Sequence, residues 1–227
     1  MIEREIEKNP HAPDISDKVV ELLTELCFVK DDDTGQVDLI FVYATPSNFI
    51  EVKKILNDLL EMDYSKKVFV TGGRPHFQDY RYKDEKTEAE KFFEVFDISK
   101  FPSVKFFKED SSTNSLDNVR EAMKVLDFSD YKRIAFIFKS HASRRGYLTL
   151  RKFCSKTVLI SIPFNTDYLE IDSKGKLISR DDWHKSGFGR SRVWGEFLRI
   201  KKYGQRGDIE YKEVKDLVEE IDKLTNA

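Results

Sequence analysis

The sequence predicts an α/β protein: a Rossmann-like three-layer α/β/α sandwich around a mainly parallel five-stranded sheet, with extra helices at the carboxyl end. Three observations predict it. Five short apolar runs, rich in β-branched and aromatic residues, recur along the chain. Each run is near-continuous rather than alternating, as in strands covered on both faces. Segments with apolar residues at helical spacing separate the runs, which implies βαβ units and a parallel sheet.

The runs are "VDLIFVYA" (37–44), "KKVFVTGG" (66–73), "SVKFFKED" (103–110), "RIAFIFKS" (133–140) and "KTVLISIP" (156–163). Upstream, residues 14–28 read as an amphipathic helix packed on the sheet. The helix predicted over 47–62 carries a wide apolar face of Phe49, Ile50, Val52, Ile55, Leu56, Leu59 and Leu60. Thr45 and Pro46 supply its cap and a first-turn proline. In 86–97, Thr87 and Glu90 fit a capping box. In 114–127, Leu116, Val119, Met123 and Leu126 form the stripe, and a fourth helix covers 142–154. The polar stretch 164–188, with Trp183, reads as a long loop or lid. Helices follow near 190–201 and 211–224. The last has an apolar stripe of Val214, Leu217, Val218, Ile221 and Leu224, too short for a coiled-coil seam, so it packs on the domain. The expected organisation is a Rossmann-like domain over 1–165, with 166–227 a polar loop and helical extension packed on it.

Composition narrows the function. In 227 residues, 35% are charged and 40% hydrophobic, and the net charge is −2. That balance fits a cytoplasmic globular protein and gives no bulk attraction for nucleic acid or an anionic membrane. The longest apolar run is too short to span a bilayer. Cys27 and Cys154 sit far apart in apolar contexts and read as reduced core residues. No set of His, Cys and acidic residues has metal-ligand spacing, so no metal is expected. A monomer or weak homodimer is expected.

In an open parallel sheet, ligands bind beyond the carboxyl ends of the strands. That rule selects Tyr43–Ser47, "TGGRPHF" (71–77), "KEDSSTN" (108–114) and "KSHASRR" (139–145). Gly72 and Gly73 allow backbone N–H groups to approach a ligand, Arg74 adds a cation suited to phosphate or carboxylate, and His76 stands close by. Glu88 begins the following helix at the same edge. Ser112, Thr113 or Asn114 can cap the next helix, whose free N–H groups attract anions, but a cap needs only one of them. Asn118 falls one turn after Asn114. Glu109 and Asp110 suit ligand hydroxyl or amino groups, or partners such as Arg74 and Arg144. His141, at a strand-to-helix junction, is a candidate acid or base, as is Glu109. Of Arg144 and Arg145, one faces the ligand and the other solvent. GxGxxG, Walker A and GxSxG motifs are all absent, and "GFGR" (187–190) follows no strand.

The order "DLIFV", "VTGG", "TEA", "EDSSTNSLDN" and "SHASRR" resembles the YdcF-like family, relatives of the membrane-anchored SanA and ElyC type proteins. The likeness covers about residues 14–165, with Glu109, Ser112, Thr113, Asn114 and Asn118 its most specific block. Gly72, Gly73, Thr87, Glu88 and Ala89 come next. Glu196, Tyr203, Gly204, Arg206 and Gly207 add a likeness to the soluble branch. The resemblance implies a Rossmann-like fold and a nucleotide-like ligand, S-adenosylmethionine or another nucleotide. Two departures stand out. No membrane anchor is expected, so envelope roles do not carry over, and "YATPSN" replaces a glycine-containing loop after the first strand.

The resulting expectation is a small-molecule-binding protein, with Gly72, Gly73, Arg74, Glu88, Ser112, Thr113, Asn114, Asn118 and Arg144 as ligand contacts. Glu109 and His141 are the candidate catalysts of a transferase or hydrolase. The alternatives are a sensor without chemistry and an interaction protein with a vestigial cleft.

Overall fold

Each apolar run becomes a strand: β1 (Leu39–Tyr43), β2 (Lys67–Thr71), β3 (Lys105–Glu109), β4 (Arg133–Lys139) and β5 (Val158–Phe164). The structure is a computed structural model that describes residues 5–29, 35–45, 48–74, 86–166 and 178–225. The sheet is all-parallel, in the order β3-β2-β1-β4-β5. These are five strands of the doubly wound order 3-2-1-4-5-6. The chain runs outward from β1 through β2 to β3, then crosses back to β4 on the other side of β1. Residues Ile40 to Tyr43 of β1 pair with Val68 to Thr71 of β2, and Thr71 pairs with Glu109 of β3.

The described residues form seven α-helices: α1 (Asp17–Cys27), α2 (Phe49–Glu61), α3 (Glu88–Val95), α4 (Ser115–Ala122), α5 (Ser143–Phe153), α6 (Gly187–Arg206) and α7 (Lys215–Thr225). The chain divides into two compact units. The first holds Asp31–Phe138 and Phe153–Phe164; the second holds Arg4–Lys30, Lys139–Lys152 and Asn165–Ala227. The expected boundary at 165 is therefore only part of the division. The segment carrying α1 and most of α5 belongs with the carboxyl-terminal helices, not with the sheet.

The first unit is an α/β/α sandwich. On one face of the sheet, Ile40, Val42, Val68, Val70, Ala135 and Ile137 pack with Val52, Leu56 and Leu60 of α2 and with Ala89 and Phe92 of α3. The opposite face carries an aromatic row in which Phe41 stacks on Phe69 and meets Tyr43 edge-on. Helix α4 lies on that second face, where the Thr71 hydroxyl reaches the Asn118 carbonyl at 3.4 Å. The α3 capping box forms as expected from Thr87 and Glu90. Several helix ends differ from expectation, with α6 reaching beyond the expected 190–201 at both ends. Asn48 is the N-cap of α2, and the expected Pro46 lies outside the described residues. Helix α4 ends at Ala122 and buries Asn118, Val119 and Ala122, leaving Met123 exposed. The buried face is thus rotated from the expected stripe, because Asn118, not Leu116, turns towards the sheet.

The second unit has its own core. Val19, Leu22, Leu23 and Leu26 of α1 pack with Val193, Phe197 and Ile200 of α6 and with Val218 and Ile221 of α7. This is where the amphipathic stripe of α1 goes. The described part of 164–188, expected as a long loop or lid, is tied into this unit. Thr166 bridges Ile178, and Trp183 is 0% exposed in that core, its indole N–H donating to the Thr24 hydroxyl at 2.9 Å. Residues 167–177 lie outside the described residues. Among the described residues, no helix is long and apolar enough to cross a membrane.

Removing a buried indole deletes both its packing and its hydrogen bond. Trp183→Ala is expected to cost about 3–5 kcal/mol of unfolding free energy. Ile50→Ala, at a side chain 83% exposed, should stay within about 0.5 kcal/mol. Chemical denaturation of both variants checks the contrast.

Candidate functional site

The loops after β2 and β3 meet at the carboxyl edge of the first unit, and a single carboxylate organises them. The in-register pair Thr71 and Glu109 places both side chains on the same face. The Thr71 hydroxyl donates to Glu109 Oε1. The Ser112 hydroxyl donates to the same oxygen at 2.6 Å. The backbone N–H groups of Ser111 and Ser112 donate to Glu109 Oε2 at 3.0 and 3.1 Å. A carboxylate offers about four acceptor positions, and here protein donors fill them. Glu109 is buried. Its described partners are all internal, whereas the sequence reading expected it to meet ligand or act as acid or base.

The glycine pair serves the same clamp. Gly73 N–H donates to Ser112 Oγ at 3.0 Å, and Gly72 N–H donates to the Glu109 carbonyl at 3.2 Å. Their carbonyls accept from Glu88 and Ala89 N–H at the start of α3. A Cβ on Gly73 would sit 2.2 Å from the Ser112 carbonyl oxygen, and Gly72 has φ +156°. The close approach these glycines permit is of one loop to another. Neither N–H is left for an anion, contrary to expectation.

Thr113 and Asn114 are absorbed by the start of α4. Asn114 Oδ1 accepts from the N–H groups of Leu116 and Asp117 at 3.0 Å each. Thr113 Oγ1 and Asn114 Nδ2 both donate to Asp117 Oδ2, at 2.6 and 2.7 Å. This is a reinforced cap rather than a ligand contact. Asp110 pairs with Lys108 at 2.7 Å rather than with Arg74 or Arg144.

Three groups at this edge keep capacity for a ligand. Arg74 is exposed and makes no ion pair among the described residues. Asn118 is 8% exposed, yet its carboxamide makes no hydrogen bond among the described residues. The third is the start of α2, where the N-cap Asn48 makes no side-chain capping bond and its buried Oδ1 has no partner among the described residues. The first-turn N–H groups of a 13-residue helix are therefore uncapped by a side chain. His76 lies outside the described residues.

His141 and Arg144 belong to the second unit. His141 is 1% exposed, between Thr166 Oγ1 at 3.5 Å from Nδ1 and Arg192 Nη2 at 3.5 Å from Nε2. Burial and the adjacent Arg192 push its pKa well below the ordinary 6.5. It is a neutral interior histidine with Arg192 donating to Nε2, not an exposed acid or base. Arg144 donates to the Glu25 carbonyl at 3.4 Å and lies over the Tyr147 ring. Arg145 bonds Glu196 Oε2 at 2.6 Å. Arg199 reaches Glu196 Oε1 at 3.3 Å.

Two groups escaped the sequence reading. Thr71 reads as the last residue of a buried strand, and only its register with Glu109 shows its use. Arg192 and Arg199 were also missed; with Glu196, which the resemblance names, they recur at i, i+4 and i+7, a helical spacing that could have revealed one polar face of α6. Among the described residues, no cluster of three His, Cys, Asp or Glu side chains is placed to hold a metal ion.

No protein-family model matches this chain, and no curated protein matches it in sequence. The resemblance noted above rests on the quoted motifs alone.

Glu109→Gln keeps the shape but replaces one acceptor oxygen with a donor. It is expected to cost about 1–3 kcal/mol, measured by denaturant titration. Gly73→Ala should cost at least as much, because the added Cβ meets backbone that cannot swing aside.

The second unit gives a pH signature. Burial alone would raise the Glu196 pKa, but Arg145 and Arg199 outweigh it and hold it at about 2, against an ordinary 4.5. The folded value is depressed, so this stabilisation is complete above pH 4.5 and is lost as pH falls towards 2. His141 adds an earlier slope: below pH 6.5 the unfolded chain takes up a proton that the buried ring refuses. Stability measured against pH should fall in both windows. Glu196→Gln should flatten the lower one and His141→Gln the upper one.

Proposed function

We propose that this is a cytoplasmic small-molecule-binding protein whose first unit holds a nucleotide-like or phosphate-containing ligand at the carboxyl edge of its sheet. S-adenosylmethionine is the leading candidate. The observation that carries this reading is the Glu109 clamp. It fixes the β2 and β3 loops side by side at the edge where doubly wound sheets take ligands. Beside that fixed wall, Arg74 offers a cation, Asn118 a carboxamide, and the start of α2 uncapped N–H groups. A cation and helix N–H groups suit an anionic group, and a carboxamide suits a base or an amino acid moiety. The likeness of the motifs to the YdcF-like family supports the same ligand class.

We favour binding without chemistry over catalysis for a specific reason. Glu109 spends its carboxylate on four internal donors, and His141 is enclosed and neutral. Neither is available for proton transfer to a ligand.

A thermal-shift panel of nucleotides and S-adenosylmethionine tests the reading. One ligand should raise Tm in a concentration-dependent way. Arg74→Ala should leave the ligand-free Tm unchanged and weaken that ligand about tenfold, the loss of one charge-assisted contact. A flat panel, or full affinity in Arg74→Ala, counts against it. The ligand should be recovered intact after long incubation, and its conversion would restore the enzyme reading.

A further inference from the structure

The second unit carries a feature unrelated to the sheet edge. Residues 5–10 run antiparallel to α6, gripped by its basic side chains. At the carboxyl end of α6, Glu5 Oε1 meets Arg206 Nη1 at 2.7 Å and Lys202 Nζ at 3.1 Å. Moving towards its start, Arg199 Nη2 donates to the Ile6 and Glu7 carbonyls at 3.4 and 2.6 Å. Arg192 Nη1 donates to the Lys8 carbonyl at 3.3 Å and reaches Asn9 Oδ1 at 3.5 Å. The Ser191 hydroxyl donates to the Pro10 carbonyl at 2.6 Å.

Arg192, Arg199 and Arg206 are spaced seven residues apart, so they line one face of the helix. Pro10 sits over Gly195, where an added Cβ would lie 3.1 Å from Pro10 Cδ. The grip has two parts. Arginine and serine bond main-chain carbonyls, which any peptide offers. Lys202 and Arg206 select a carboxylate at one end, and Gly195 leaves room for a ring at the other.

We propose that this face of α6 is a docking surface for an acidic peptide with a proline five residues after its acidic side chain, and that residues 5–10 are its resident in cis. The hydrogen bonds from Lys202 and Arg206 hold the Glu5 carboxyl below its ordinary range, in keeping with a carboxylate seat. The end pairs are exposed, so they are screened by salt and exchange readily with an equivalent segment from outside. An incoming peptide that displaces the strap takes over the same partners. It acts on Arg199, which also holds Glu196, and on Arg192, which touches His141.

The test uses the full chain and a fluorescent peptide copying residues 1–12, followed by anisotropy. Glu5→Lys in the protein repels the resident strap from Lys202 and Arg206. That variant should bind the peptide at least tenfold more tightly than the unaltered chain, and the gain should shrink in high salt. A peptide with lysine in place of its own glutamate at position 5 should bind at least tenfold more weakly. Absence of binding to both proteins overturns the proposal. So does equal binding of the charge-reversed peptide.

Discussion

A carboxylate withdrawn from water is costly unless its lone pairs are used, and the arrangement around Glu109 follows from that constraint. Two hydroxyls and two backbone N–H groups meet it. Each such charge-assisted bond is worth about 1.5–3 kcal/mol, enough together to hold the loops in one geometry. The consequences propagate. Ser112 must carry a hydroxyl that donates to Glu109 while accepting from Gly73. Gly73 must lack a Cβ because the Ser112 carbonyl occupies that space. The turn through Ser111 and Ser112 then delivers Asn114 to the cap position of α4, and α4 in turn buries Asn118 and Val119 on the second face. A polar strand end therefore sets the position of a helix.

The strand-helix alternation was legible because periodicity is local: strands covered on both faces read as continuous apolar runs, and all five were found. The clustering of small polar residues after β3 was legible too. Its meaning was not, because hydrogen-bond partners across a sheet depend on register, which single-sequence patterning does not give. Thr71 looks like any threonine until it is placed opposite Glu109. The same limit explains α1. Its amphipathic stripe was visible, but a stripe states that a face is buried and not against what, and it packs with α6 and α7. Trp183 shows a third case: one large indole buried among those helices organises a stretch whose polar composition suggested a loop.

The second unit treats buried charge in another way. Glu196 sits between Arg145 and Arg199, with each pair at bonding distance, and attraction outweighs desolvation. Helical spacing on α6 supplies both Glu196 and Arg199 at i and i+3, so only Arg145 has to come from another helix. Breaking such a pair leaves a buried charge uncompensated, which costs more than the intact pair contributes. His141 is accommodated differently, by remaining uncharged beside Arg192. A catalytic histidine needs basicity, and here burial first and the neighbouring guanidinium second reduce it.

Internal use of most of the polar residues at the carboxyl edge does not argue against a ligand there. A loop whose backbone is already fixed loses little conformational entropy when something binds to it, and that saving appears directly in affinity. The residues that bond inward are the ones that make the wall rigid. Among the described residues, those with spare capacity are the exposed Arg74, and Asn118 and Asn48 near the strand ends. Small-molecule sites have this composition: a preformed surface with a small number of placed polar groups. On the proposed reading, the dense cluster after β3 supports the site, and specificity would come from the neighbours with spare capacity.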